Sequence, residues 1–183
     1  MVAVPCGPHH VARRCPGRPP TAAEDPSVRG AFGASATVTA VPTVLLATDA
    51  DSILDEVDAA LADADTAVYR VRQGVDVLQA IDQISPDLVI LDAQIGNMGG
   101  MATCMAIRNA EGVDRIPITA VLVLLDRAHD AFLARRVDAD GYLVKPLDAF
   151  RLRRAARVLL DGEAWFEPID PATSQPADVV LRG

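Results

Sequence analysis

The sequence is poor in cysteine and lysine and lacks a basic surplus and long apolar runs. Its three cysteines, Cys6, Cys15 and Cys104, are too few and too scattered for a disulfide framework. No apolar run approaches the roughly 18 residues a membrane span needs, so no membrane contact is expected. The opening residues (MVAVPCGPHHVARRCPGRPP) lack the continuous apolar stretch of a secretory signal, which makes a cytoplasmic location the expectation. A net charge of −8 and a pI near 4.7 argue against nucleic-acid binding, which normally draws on a basic surplus. Lysine is the scarcest charged residue: of 17 basic side chains only Lys145 is a lysine.

What remains is enough for one sizeable core, with 183 residues of which 50% are hydrophobic. Residues 1–42 are rich in Pro, Gly, Ala and Arg without periodicity and carry a charge of +2, which reads as a disordered arm. Cys6, His9, His10 and Cys15 lie there, but their spacing matches no structural zinc pattern, and the prolines between them favour a loose arm. Residues 43–160 carry −6 and residues 161–183 carry −4. The last segment, with three prolines, reads as a flexible tail whose Trp165–Phe166 pair has the means to dock on the domain.

Between 43 and 160 the periods alternate. Thr43 to Ala47 reads as a short buried strand, and Asp51 or Ser52 can cap a helix that turns Ile53, Leu54, Val57, Ala60 and Leu61 to one side. Thr66 to Val71 is half polar and suits a sheet edge. Val75 to Ile84 is a helix; Leu88 to Leu91 is a strand apolar on both faces. A glycine-rich turn (Gly96, Gly99, Gly100) leads into a helix over Met101 to Asn109. Ile118 to Leu125 and Gly141 to Val144 are the fourth and fifth strands, with a short helix over Asp130 to Val137 between them. Asp148 opens the last helix. Five β/α units with short connections predict a doubly wound, flavodoxin-like parallel sheet in the order 2-1-3-4-5.

The organising stretch is PDLVILDAQIGNMGGM, residues 86–101, where a buried strand stops on a carboxylate, Asp92. In doubly wound folds ligands bind just beyond the carboxyl ends of the central strands. Strand one ends in Thr48 and Asp49, and strand five in Lys145. Asp49 and Asp92 would face one another across the switch point, repelling by about 4 kcal/mol at ~4 Å and an effective dielectric of ~20. A hard cation such as Mg²⁺, which takes oxygen ligands and keeps several waters, relieves that repulsion. Lys145 adds a compact ammonium where a guanidinium fork would not fit, and Pro146 permits a cis bond that aims it back into the site.

The stretch from Thr43 to Leu160 resembles the receiver domain of two-component response regulators. The carrying motifs are VLLATD, PDLVILD, the I-G-N-M-G-G loop and ADGYLVKP. The resemblance implies that Asp92 accepts a phosphoryl group from a phosphohistidine on a sensor histidine kinase or phosphotransfer protein. It further implies Mg²⁺ held by Asp49, Asp92 and the backbone carbonyl of Gln94. Lys145 matches the lysine that contacts the phosphoryl group, and Tyr142 the aromatic switch residue. Such a protein modifies itself but turns over no separate substrate, so it is not an enzyme in the usual sense.

Three features depart from that family. Thr48 stands where the first of two adjacent acids is usual. Leu125 stands where strand four carries a Ser or Thr that hydrogen-bonds the phosphoryl group, and Ile95-Gly96 replaces a Met-Pro. The lost charge-assisted hydrogen bond is worth about 1.5–3 kcal/mol. Two functions follow from the residues. One is a stand-alone response regulator that signals through protein contact to a downstream protein. The other is an atypical receiver acting as a phosphorylation-independent interaction module. Arg151, Arg153, Arg154 and Arg157, with Arg135 and Arg136 of the preceding helix, read either as a solvated face or as a docking surface for a partner or homodimer. His129 reads as a surface residue.

Overall fold

The computed structural model describes residues 41–61 and 66–168. The arm over 1–42, apart from its last two residues, lies outside the described residues, as do Cys6, His9, His10, Cys15 and positions 169–183. Six strands form one parallel sheet ordered β2-β1-β3-β4-β5-β6: β1 Thr43–Ala47, β2 Ala67–Val71, β3 Leu88–Asp92, β4 Ala120–Leu125, β5 Gly141–Val144 and β6 Trp165–Phe166. The helices are α1 Asp51–Leu61, α2 Val77–Ile84, α3 Gly100–Gly112, α4 Ala131–Arg136 and α5 Ala149–Leu160. Short 3-10 turns over Gly74–Asp76 and Ala128–Asp130 lead into α2 and α4.

Alternation along the central strands divides the core into two layers, because successive strand side chains point to opposite faces. Val44, Leu46, Leu88, Ile90, Leu122 and Leu124 pack against Ile53 and Val57 of α1 and Leu152 and Leu159 of α5. Leu45, Val89, Leu91, Val123 and Leu125 pack against Ile81 of α2, Ile107 of α3 and Ala134 of α4. All five residues of β3 are buried, Asp92 included, as a strand covered on both faces requires. The last helix begins where its sequence says: the Asp148 carboxylate accepts from the Arg151 amide at 2.9 Å.

Two expectations are revised. The sheet has a sixth strand: residues 161–168 are not a free end, since Trp165 and Phe166 pair in parallel with Gly141 and Tyr142. Gly141 makes room for it; a Cβ there would lie 2.5 Å from the Trp165 carbonyl oxygen. Asp51 does not cap α1 but is paired through its carboxylate with Arg70 and Arg72 of the β2 side. The hydrogen bond from Arg70, with the charge of Arg72, holds that carboxylate below its ordinary range. Most arginines of α4 and α5 are exposed, and several also make contacts within the chain. Arg151 pairs with Glu167 and donates to the Val144 carbonyl, and Arg153 donates to the Ala60 carbonyl. Arg154 lies over the Trp165 ring and Arg135 over the Phe166 ring, with cation-to-centroid distances of 5.2 and 4.7 Å.

Candidate functional site

The carboxyl ends of β1, β3, β4 and β5 meet at one point. Register places them there: Ala47 lies opposite Leu91, Asp92 opposite Leu124, and Leu125 opposite Val144. The next residues along, Thr48, Asp126 and Lys145, together with Asp92, therefore project from the same edge of the sheet. The Lys145–Pro146 peptide is cis.

Asp92 is only 2% exposed, so each of its oxygens needs a partner. Oδ1 accepts from Lys145 Nζ at 2.7 Å and from the Gln94 amide at 3.1 Å. Oδ2 accepts from the Thr48 hydroxyl at 2.9 Å, and Thr48 Oγ1 in turn accepts from the Ala50 amide at 3.2 Å. Gly100 lets the chain turn tightly behind the strand; a Cβ there would fall 2.4 Å from the Asp92 carbonyl oxygen. Burial alone would lower the Lys145 ammonium. The hydrogen bond and charge of Asp92, and then those of Asp126, outweigh it and raise Lys145 above an ordinary lysine.

Asp49 is exposed at the mouth of the site, with its Oδ2 3.3 Å from where a Cβ on Gly96 would stand. It thus faces the β3–α3 loop that also holds Gln94. The donors around this mouth are oxygens, with no histidine or thiol among them, and among the described residues no group of three or more His, Cys, Asp or Glu could hold a metal by itself. Carboxylates such as Asp49 and Asp92, with water in the remaining positions, would suit Mg²⁺ and not zinc. Residues 44–157 match the family model described as the response regulator receiver domain.

The chain belongs to the receiver family of response regulators.

Receiver domains generally bind Mg²⁺ at their phosphorylation site, and the donor set here fits that ion. The chain is 32% identical over 123 residues to the DNA-binding dual master transcriptional regulator RpaA of Synechocystis sp., covering 66% of this chain and 49% of that one. It is 31% identical over 111 residues to the DNA-binding response regulator MtrA of Mycobacterium tuberculosis, covering 56% of this chain and 47% of that one. The chain therefore spans about half the length of the curated relatives it matches. Because those relatives bind DNA, the acidic balance of this chain excludes nothing about nucleic acid for a protein of that kind. The chemotaxis response regulator CheY4 of Vibrio cholerae superposes with a TM-score of 0.57 at 25% identity, over 64% of this chain and 97% of that one. The receiver domain of the Francisella response regulator 1452 shares the fold, with a TM-score of 0.58 at 20% identity, over 66% and 98% of the two chains.

In this receiver Asp92 is in direct contact with both the lone lysine and Thr48, while Asp49, the residue after Thr48, lies exposed beside Gly96 of the β3–α3 loop. Leu125 is buried and offers no hydroxyl. Tyr142 lies away from that cluster, 1% exposed and held by the C-terminal segment. Its hydroxyl donates to the Glu167 carbonyl at 3.0 Å, and its ring lies 5.7 Å from Phe166. Glu167 also accepts from the Val144 amide at 2.8 Å. Neither Asp126 nor Glu167 was singled out by sequence reasoning. An acid directly after a strand was the one available signal for Asp126, while nothing local marks Glu167.

Proposed function

We propose that Asp92 is the phosphoacceptor of a phosphorelay, taking its phosphoryl group from a phosphohistidine on a sensor histidine kinase or phosphotransfer protein. The observation that carries this reading is a carboxylate 2% exposed at the end of the central strand with an ammonium 2.7 Å from one oxygen. In the step, a carboxylate oxygen of Asp92 bonds to phosphorus as the P–N bond breaks, and the electron pair of that bond returns to the imidazole. Phosphoryl transfer depends mainly on alignment and charge neutralisation. Lys145 supplies a fixed positive charge, the Gln94 amide and Thr48 hydroxyl orient the carboxylate, and burial among strand ends excludes bulk water. Asp49, Asp92 and the Gln94 carbonyl would hold Mg²⁺, which when bound neutralises phosphoryl oxygens. The protein turns over no separate metabolite and works in the cytoplasm.

Output passes through protein contact at the α4–β5–α5 side, where Phe132, Leu133 and Phe150 are exposed, a surface also suited to a homodimer. Beryllofluoride with Mg²⁺, or acetyl phosphate, tests the acceptor directly: wild type takes it up and Asp92→Asn does not. Failure of wild type to take up either reagent overturns the reading. A second reading, an interaction module indifferent to phosphorylation, is favoured by Leu125 and by Tyr142 being held by Glu167. It requires Asp92→Asn to bind the output partner as tightly as wild type does.

A further inference from the structure

Asp126 has no part in the function above, yet it touches the residue on which that function depends. Its Oδ1 lies 3.1 Å from Lys145 Nζ, and the same ammonium lies 2.7 Å from Asp92 Oδ1. One cation is thus shared between carboxylates from two neighbouring strands, using two of its three donors. The arrangement is built into the backbone: the Lys145 amide donates to the Leu125 carbonyl at 2.7 Å, which brings the end of β5 level with Asp126. Leu125, which precedes it, is fully buried, so the first polar side chain β4 presents at the sheet's end is an acid. At the other side of Asp92 the fully buried Thr48 presents a hydroxyl.

Resting on the phosphoacceptor reading, we propose that Asp126 is a positioning residue that holds Lys145 in place and opposes the arrival of an anionic phosphoryl group at Asp92. Once an anion joins Asp92, it competes with Asp126 for the donors of Lys145. The Asp126 charge, no farther from Asp92 than two hydrogen bonds laid end to end, repels it. The Asp126 side chain is 35% exposed, so water screens part of that repulsion. Asp126 therefore raises the threshold for occupancy of the site rather than assisting it.

The single lysine makes the test clean, because lysine-selective ¹³C labelling gives one ε-methylene signal. Methylene order parameters for the full chain, measured without metal or phosphoryl mimic, compare wild type with Asp126→Asn and Asp126→Glu. Lys145 is expected to become more mobile in Asp126→Asn and to return close to wild type in Asp126→Glu; unchanged mobility overturns the holding role. Beryllofluoride titration with Mg²⁺ then reads the threshold. Asp126→Asn is expected to bind about three- to thirtyfold more tightly than wild type, with the gap narrowing as salt is added. Equal or weaker binding by Asp126→Asn overturns the opposition. If wild type binds no beryllofluoride at all, the phosphoacceptor reading falls and the opposition falls with it, while the mobility result still decides whether Asp126 holds Lys145. A thermal unfolding scan of each variant shows that the comparison is made between folded proteins.

Discussion

Replacing Thr48 with aspartate restores a carboxylate usual in the family and creates a charge conflict whose size follows from the geometry. Thr48 is fully buried and its hydroxyl donates to Asp92 Oδ2 at 2.9 Å. Thr48→Asp removes that donor, a charge-assisted bond worth about 1.5–3 kcal/mol. It also sets two carboxylates within ~4 Å, a repulsion of about 4 kcal/mol at an effective dielectric of ~20. Lys145 and water entering from the Asp49 side offset part of this, leaving an expected net loss of about 3 kcal/mol. For a domain of this size that corresponds to a fall in Tm of roughly 10 °C. The assay is thermal unfolding by circular dichroism, first in EDTA and then with Mg²⁺ at about tenfold the variant's Kd, which by mass action returns about 1.4 kcal/mol to the variant and less to wild type, whose site has one carboxylate fewer and binds the cation more weakly. The loss should also fade as pH falls through the carboxylate range, because protonating the introduced acid removes the repulsion. A loss below about 1 kcal/mol in EDTA, or the same loss with and without Mg²⁺, would refute the reasoning.

Other expectations are read in stability and reactivity. Arg108 donates to the carbonyls of Asp138 and Thr119 and to the carboxylates of Glu111 and Asp140. Arg108→Leu should therefore cost about 3 kcal/mol in urea unfolding, with Arg108→Lys recovering less than half, since an ammonium lacks the fork that reaches all four. Burial pushes the Cys104 thiol up to about 12, so its thiolate is scarce at neutral pH. In a Cys6→Ser, Cys15→Ser background Cys104 should resist a disulfide reagent at about pH 8 and react only as urea unfolds the domain; native-state labelling within minutes would contradict this. Glu167→Ala removes the acceptor of the Val144 amide and the partner of Arg151. It should cost about 1–2 kcal/mol and red-shift emission from Trp165, the only tryptophan in the chain.

Much of the sheet was legible because its signals are local. The run Leu88–Leu91 reads as doubly buried from hydrophobicity alone, and Asp148 reads as a helix start from residue type alone. Asp92 and Lys145 were legible because each is anomalous where it stands, a charge closing a buried strand and a single lysine among arginines. What escaped depends on partners distant in sequence. Trp165 and Phe166 form a strand of two residues, too short for any periodicity, and they pair only because the edge of β5 is free to receive them. Asp126 looks like any acid in a turn until β5 brings an ammonium beside it. The contacts that α5 arginines make within the chain escape a local reading because the aromatic ring and carboxylate involved lie beyond the helix itself.

The hold of the C-terminal strand on β5 has a consequence in linkage. Glu167 binds the amide of Val144; Val144 is followed by Lys145; and Lys145 holds Asp92. A protein or peptide that displaces β6 from this edge and thereby changes the affinity of Asp92 for its phosphoryl group by some factor will itself be bound more or less tightly, by the same factor, once Asp92 is occupied. The two ends of this short path form one thermodynamic cycle, so a competitor for the sheet edge, found without any knowledge of the kinase, would report on the state of the acceptor.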